Sequence, residues 1–255
     1  MRRTYRGAMA PTVTQVADDT YFVNGEAVNW VLLTEGDRLT LIDAGYPGDY
    51  DDVLTSISTI GFTPEQIAAV LVTHAHVDHV GSLPRLLSSW SPPVYTSGQE
   101  TLHAHREYLE QASRTDVMRR CWRPRVARWA VHVLKAGGTK DISVPQAEPF
   151  PHQGLADLPG TPVPVMTPGH TSGHTAYYLP KARAMVTGDA LVTGHPISSI
   201  RGPQVLDGVF HHDSRENLMS LDLMSGYDTD VVLAGHGPIW HGAIGDAVSI
   251  AEGRG

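Results

Sequence analysis

The sequence predicts an α/β protein in which two β-sheets pack face to face and helices cover their outer sides. Three observations predict it. Short apolar or β-branched runs recur between turns rich in Gly, Pro and Asp. Amphipathic helical patterns lie among them but are fewer. Four of the runs end in His or Asp close to Gly, and the binding loops of open sheets gather at such an edge. Strands covered by a second sheet on one face and by helices on the other satisfy all three.

The elements follow in order. Tyr21–Asn24, Val28–Leu33 and Leu39–Ala44 read as the first strands, parted by turns such as Glu35-Gly36-Asp37. Asp51–Ile60 places Val53, Leu54, Ile57 and Ile60 on one helical face and stops at Gly61. Ile67–Thr73 is a continuous apolar run of the kind a strand buried on both faces shows. Ser82–Ser89 reads as a helix and Val94–Thr96 as a short strand. Gln99–Gln111 is expected to be helical, and the region from there to Val133 is rich in Arg and Trp without strand alternation. The stretch 99–133 is therefore expected to be a mostly helical insert in a single domain spanning 1–255. Strands resume at Val163–Thr167, Thr175–Leu179 and Ala184–Thr187. Ser214–Ser225 is the next helix, with Leu218, Leu221, Leu223 and Met224 as its core candidates, and Asp230–Ala234 is expected to be the last strand.

Composition bounds the function. A chain of 255 residues buries a full core without disulfides, and its one cysteine, Cys121, excludes an intrachain disulfide and thiolate-built zinc or iron–sulfur sites. Acidic residues outnumber basic ones 27 to 19, for a formal net charge of -8, so the basic footprint of a nucleic-acid binder is missing. No apolar stretch approaches the roughly 18 residues of a membrane span. The start of the chain, MRRTYRGAMAPTVTQVADD, carries no apolar signal-peptide core, and the expected location is cytoplasmic. The expected partner is a small-molecule substrate, with no nucleic acid and no membrane; a homodimer through an insert helix is compatible with the pattern. Fourteen histidines are the most informative count, because imidazole is the commonest metal ligand.

The histidines are not scattered. His74-Ala75-His76-Val77-Asp78-His79 follows the buried strand Ile67–Thr73 directly. Alternate residues of extended backbone point to one side, so His74 and His76 can converge on one ion while the following turn carries Asp78 and His79 toward another. His170 and His174 lie in the Gly-rich turn after Val163–Thr167, Asp189 just beyond Ala184–Thr187, and His236 just beyond Asp230–Ala234. Imidazoles and carboxylates with no thiolate suit divalent ions of borderline hardness. Zinc is foremost in that class; iron and manganese also fit.

This set, HAHVDH with GHTSGH, TGDA and AGHG, resembles the metallo-β-lactamase fold superfamily through the core of the chain. The resemblance implies a four-layer αββα sandwich of two mixed sheets, with the site at one edge of both. It implies that His74, His76 and His170 hold a first metal, that Asp78, His79 and His236 hold a second, and that Asp189 bridges the pair. It further implies a dinuclear hydrolase of a small ester, lactone or thioester, similar to the glyoxalase II and acyl-homoserine-lactone lactonase types, with a metal-bridging hydroxide as nucleophile. Asp78 and Asp189 are then the catalytic carboxylates. A persulfide dioxygenase with one iron, a nuclease or phosphodiesterase, and a non-catalytic metal-binding protein use the same fold. Lactonases of this kind often carry a Tyr shortly after the bridging Asp; Ala190 to His195 hold none, and His195 or one of His211 and His212 is available in its place. Asp43 is expected to brace the His74–His76 loop and His174 to hold its turn. His103 and His105, two apart on a helix, do not share a face. Trp122 and Trp129 suit either the insert's own core or a substrate wall, and Cys121 is read as inert.

Overall fold

The computed structural model describes residues 11–254, so the basic start at residues 1–10 lies outside the described residues. A first sheet of seven strands runs β1 (Thr12–Ala17), β2 (Thr20–Asn24), β3 (Asn29–Glu35), β4 (Arg38–Ile42), β5 (Ile67–Leu71), β6 (Val94–Thr96) and β7 (Ala147–Pro149), in spatial as well as chain order. The first four pair as an antiparallel meander and the last four are parallel. Parallel neighbours need crossovers, and helices supply them. These are α1 (Tyr50–Thr59) after β4, α2 (Val77–Val80) and α3 (Leu83–Ser89) after β5, and α4 (Gly98–Ala104), α5 (Arg114–Arg120) and α6 (Pro124–Ala136) after β6.

The second sheet holds β8 (Val163–Met166), β9 (Thr175–Leu179), β10 (Ala184–Gly188), β11 (Val231–Ala234) and β12 (Trp240–His241), in the order β12-β11-β10-β9-β8. Only β10 and β11 are parallel, and α7 (Ser214–Ser225) makes their crossover; α8 (Ile244–Glu252) follows β12.

Period-two alternation assigns the layers. On β3, Trp30 and Leu32 face the helices α1 and α3, whereas Val31 and Leu33 face the other sheet. On β11, Val231 and Leu233 face the first sheet while Val232 packs with Met224 of α7 and Val248 of α8. Phe22, Ile42, Leu71 and Tyr177, all fully buried, fill the space between the sheets. The result is the αββα sandwich. No helix among the described residues is long and apolar enough to cross a membrane.

Four expectations change. The helix expected over Gln99–Gln111 stops at Ala104, because Arg106 takes a left-handed φ of 65° while its guanidinium bonds the carbonyls of His103 and Ala75. Leu223 is 56 % exposed; the buried face of α7 is Asn217, Ser220, Leu221 and Met224, at helical spacing. The strand ending at Ala234 is not the last, since β12 and α8 follow. A strand over Thr12–Ala17, half-buried and polar in part, was not legible from its pattern.

Candidate metal centre

The strand ends deliver all seven sequence-selected residues to one place. His74, His76 and His170 form one group able to hold a metal ion, and Asp78, His79 and His236 form another; Asp189 joins His74 and His79 in a third. Within each group the ligand atoms lie within 4.8 Å of one another. Asp189 stands between the first two groups: one oxygen is 3.1 Å from His236 Nε2 and 3.7 Å from His170 Nε2, the other 3.5 Å from His79 Nε2. Gly235 permits this closeness, because a Cβ there would meet Asp189 Oδ1 at 2.3 Å.

The outward side of every imidazole is occupied by a partner that accepts. His76 Nε2 donates to the Glu110 carbonyl at 2.5 Å and His236 Nδ1 to that of Ala27 at 2.7 Å. His79 Nδ1 donates to Asp43 at 2.8 Å. His74 Nδ1 donates to Thr73 Oγ1 at 3.0 Å, which passes its own proton to Asp43 at 2.8 Å. His170 Nδ1 lies 3.3 Å from His211 Nδ1, and His211 donates from its other nitrogen to the Leu206 carbonyl. With an ion in place each ring would keep its proton outward and turn a lone pair toward the centre, the tautomer a metal needs. Three of the inward atoms, His74 Nε2, His79 Nε2 and Asp189 Oδ1, are buried without any hydrogen-bond partner. Buried polar atoms are normally satisfied, and a convergent set that is not fits cations among them.

In the metal-free protein the electrostatics separate the rings: His74, His76 and His170 are kept neutral, whereas His79 and His236 are kept protonated. Burial, with neighbouring imidazoles, holds His74 and His170 well below the ordinary histidine value, and burial brings His76 down to about 4. Burial opposes the charge on Asp189 as well, yet His236 and His79 keep its carboxyl well below the ordinary range. Burial works against a protonated His79, but Asp43 and Asp189 push it well above. His236 is likewise lifted, against burial, to about 10 by Asp189 and Asp78. In the metal-free protein these two protons partly balance the buried carboxylates.

Asp43 reaches this role from a left-handed φ of 62°, uncommon outside glycine and a form of strain that clusters at functional sites. Its other oxygen accepts the Thr73 N–H at 2.9 Å. His174 accepts the Asp189 N–H at 3.1 Å and bonds Thr167 Oγ1 at 2.7 Å, so it holds two strand ends together. His105 bonds the Ala147 carbonyl, and His103 pairs with Glu100, away from the centre.

Above the centre lies a cavity of 610 Å³. His76, Asp78, His170, Asp189 and His236 form its floor. Leu109, Val117, Met118, Trp129, Val133 and Leu134, all between β6 and β7, form much of its wall. Trp129, His195 and Phe210 make a triangle of rings with centroids 5.7 Å apart along each side. Trp122, by contrast, is 77 % exposed. His195 lines the cavity, whereas His211 is committed to His170 and His212 pairs with Glu110 at 3.3 Å. Sequence reasoning missed Tyr46, a buried phenol lining the cavity beside Asp78, which burial and the neighbouring carboxylates Asp78, Asp49 and Asp189 hold protonated. Its one signal was its place in the loop leaving β4. It also missed that Cys121 borders the cavity, its thiol donating to the Val117 carbonyl.

A sequence profile of the Metallo-beta-lactamase superfamily matches residues 23–236. The chain belongs to that superfamily, and its metal-binding clusters on this fold make it a metal-dependent hydrolytic enzyme. It is 25 % identical over 215 residues to the probable metallo-hydrolase YflN of Bacillus subtilis, covering 81 % of this chain and 78 % of that one. To the probable metallo-hydrolase YqgX of the same organism it is 28 % identical over 213 residues, covering 82 % and 85 %. A variant of the Cronobacter sakazakii metallo-beta-lactamase shares the fold with a TM-score of 0.67 at 18 % identity, over 97 % of this chain and 95 % of the other.

Proposed function

We propose that the protein hydrolyses a small ester, lactone or thioester whose acyl part is apolar, using two divalent metal ions, zinc foremost. The observation that carries this reading is the pairing of seven clustered candidate ligands, five of them on the cavity floor, with a wall rich in aliphatic and aromatic side chains. His74, His76 and His170 would hold one ion, Asp78, His79 and His236 the other, with Asp189 shared. When bound, such a pair supplies an activated water and polarises the acyl carbonyl.

The chain's own residues do the rest. The Trp129–His195–Phe210 triangle and the aliphatic wall exclude water and seat the acyl chain. His195 Nδ1 accepts the Ile197 N–H at 3.4 Å, which leaves its Nε2–H as a donor for a substrate oxygen. Asp78, 3.5 Å from His236 Nε2 and lining the cavity floor, would orient the attacking water as an ionised carboxylate.

The test measures metal content by mass spectrometry in protein purified without added metal, together with turnover on p-nitrophenyl acetate, butyrate and octanoate, a lactone, a thioester, a phosphodiester and glutathione persulfide. About two metal ions per chain are expected. Acyl turnover should rise about tenfold in kcat/KM for every two methylenes, the value of burying them. Trp129→Ala should remove about tenfold from the octanoate rate and leave acetate nearly unchanged. A single iron with oxygen uptake on the persulfide, or phosphodiester turnover alone, would overturn the reading.

A further inference from the structure

The two halves of the centre are held by different parts of the chain, and one fully buried carboxylate, Glu100, accounts for the difference. Glu100 sits in the first turn of α4, where its N–H is capped by Ser97 Oγ at 3.1 Å. One of its oxygens accepts the Ala75 N–H and the His103 Nδ1–H, both at 2.6 Å. The other accepts the Thr171 hydroxyl, again at 2.6 Å. Ala75 is the residue between His74 and His76, and Thr171 follows His170. A single carboxylate therefore ties the backbone between two members of one ligand group to the residue beside the third.

The surrounding contacts make this rigid. Gly173 lies so close to α4 that a Cβ there would meet the Glu100 backbone nitrogen at 2.3 Å. Ser97 Oγ donates to the Gly173 carbonyl at 2.7 Å. His103 Nε2 accepts the Glu110 N–H at 3.2 Å, and the Glu110 carbonyl is the acceptor for His76. The Glu110 carboxylate in turn holds Ser172 through its N–H at 2.7 Å and its hydroxyl at 2.8 Å. His76 is thus oriented through His103 and Glu110 by the same carboxylate that pins Ala75.

The group Asp78, His79 and His236 has none of these ties. Asp43 and the Ala27 carbonyl hold it instead. Burying a carboxylate costs several kcal/mol unless its lone pairs are filled. Here they are filled by the peptide and hydroxyl that flank the His74, His76 and His170 ligands and by a histidine of α4.

We propose that Glu100 is a positioning residue for the His74–His76–His170 group alone, and that it sets the affinity of that group for its metal. The proposal rests on the two-ion reading above. It makes the insert, which also walls the cavity, a determinant of one metal position and not of the other.

The test is stepwise zinc binding to the metal-free protein, followed by calorimetry and by competition with a chromophoric chelator, with unfolding of the metal-free protein recorded beside it. His170→Ala identifies the step that belongs to the first group. Glu100→Gln keeps the shape and removes the charge. It should weaken that same step about ten- to a hundredfold, the range known for partners of ligating residues, and leave the other within about twofold. Thr171→Val, which removes one of the three bonds, should weaken the same step by less and serves alone if Glu100→Gln does not fold. Equal weakening of both steps, as a general loss of structure would give, overturns the proposal; so does no change in either. A wild-type protein showing a single zinc step would refute the two-ion reading first, which separates the two failures.

Discussion

His79 and His236 belong to one candidate metal-binding group and His76 and His170 to the other, and the molecule braces the two pairs differently. His79 leans on Asp43 at the end of β4, and His236 on the Ala27 carbonyl just before β3, so this side is fixed by the first sheet and the loops at its edge. His76 and His170 lean on Glu110 and His211, which lie in connections outside both sheets. The contrast teaches that a symmetric-looking site can have one half set by the strands of the fold and the other by segments added between them. Strands are held by ladders on both sides, whereas loop-borne partners depend on side-chain bonds that one substitution removes.

The substitution that breaks the comparison most completely is at Asp189, which stands within 3.7 Å of His170 and 3.1 Å of His236. Asp189→Asn should weaken both zinc steps and lower turnover by at least about a hundredfold, the scale of losing one electrostatic stabiliser. Metal stoichiometry and kcat on the same sample check it. Asp43→Asn comes next. Asp43 receives His79 directly and His74 through Thr73, one ligand from each group, so both steps should weaken about ten- to a hundredfold rather than one. A loss confined to a single step in Asp43→Asn would show that the braces do not act as the geometry implies.

A smaller effect lies in pH. His236 binds its proton more tightly in the folded metal-free protein than the ordinary 6.5, up to about 10, so the stability it contributes is complete below pH 6.5 and is lost as pH rises through 10. Asp78, held down to about 2, contributes above its ordinary 3.8 and loses that contribution as pH falls through 2. The metal-free melting temperature should therefore fall by several degrees on both the alkaline and the strongly acid side. With zinc bound, the alkaline fall should disappear, because the imidazoles are already deprotonated. Melting curves across pH with and without zinc decide this. The smallest effect is expected from Cys121→Ala, with turnover within about twofold of wild type although the thiol borders the cavity. A larger loss would give the thiol a contact with substrate.

Much of the centre was legible because it is written in short local words. HAHVDH, GHTSGH, TGDA and AGHG each follow an apolar strand, and period-two geometry already turns His74 and His76 to one side. The four words meet through the facing of two sheets, and resemblance to a family supplied that meeting where periodicity did not. Glu100 was not legible at all, since in the sequence it is one more polar residue near the start of a helix; only the approach of α4 to the turn at Gly173 makes it a tie. Trp122 and Trp129 look alike in the sequence, yet α6 carries Trp129 to the cavity while Trp122, in the turn before that helix, stands in solvent.

By itself, then, the sequence determined most of the strands and helices and which His and Asp residues stand at the strand ends. Strand alternation, helical spacing and the choice of His and Asp at strand ends are properties of neighbouring residues, and short-range geometry enforces them. Tertiary structure alone decided how each imidazole is oriented, which carboxylate braces which group, and what the cavity is lined with. Those depend on contacts between segments far apart in the chain, such as Ala27 with His236 or Glu100 with Thr171, which exist only once the two sheets and the insert have packed.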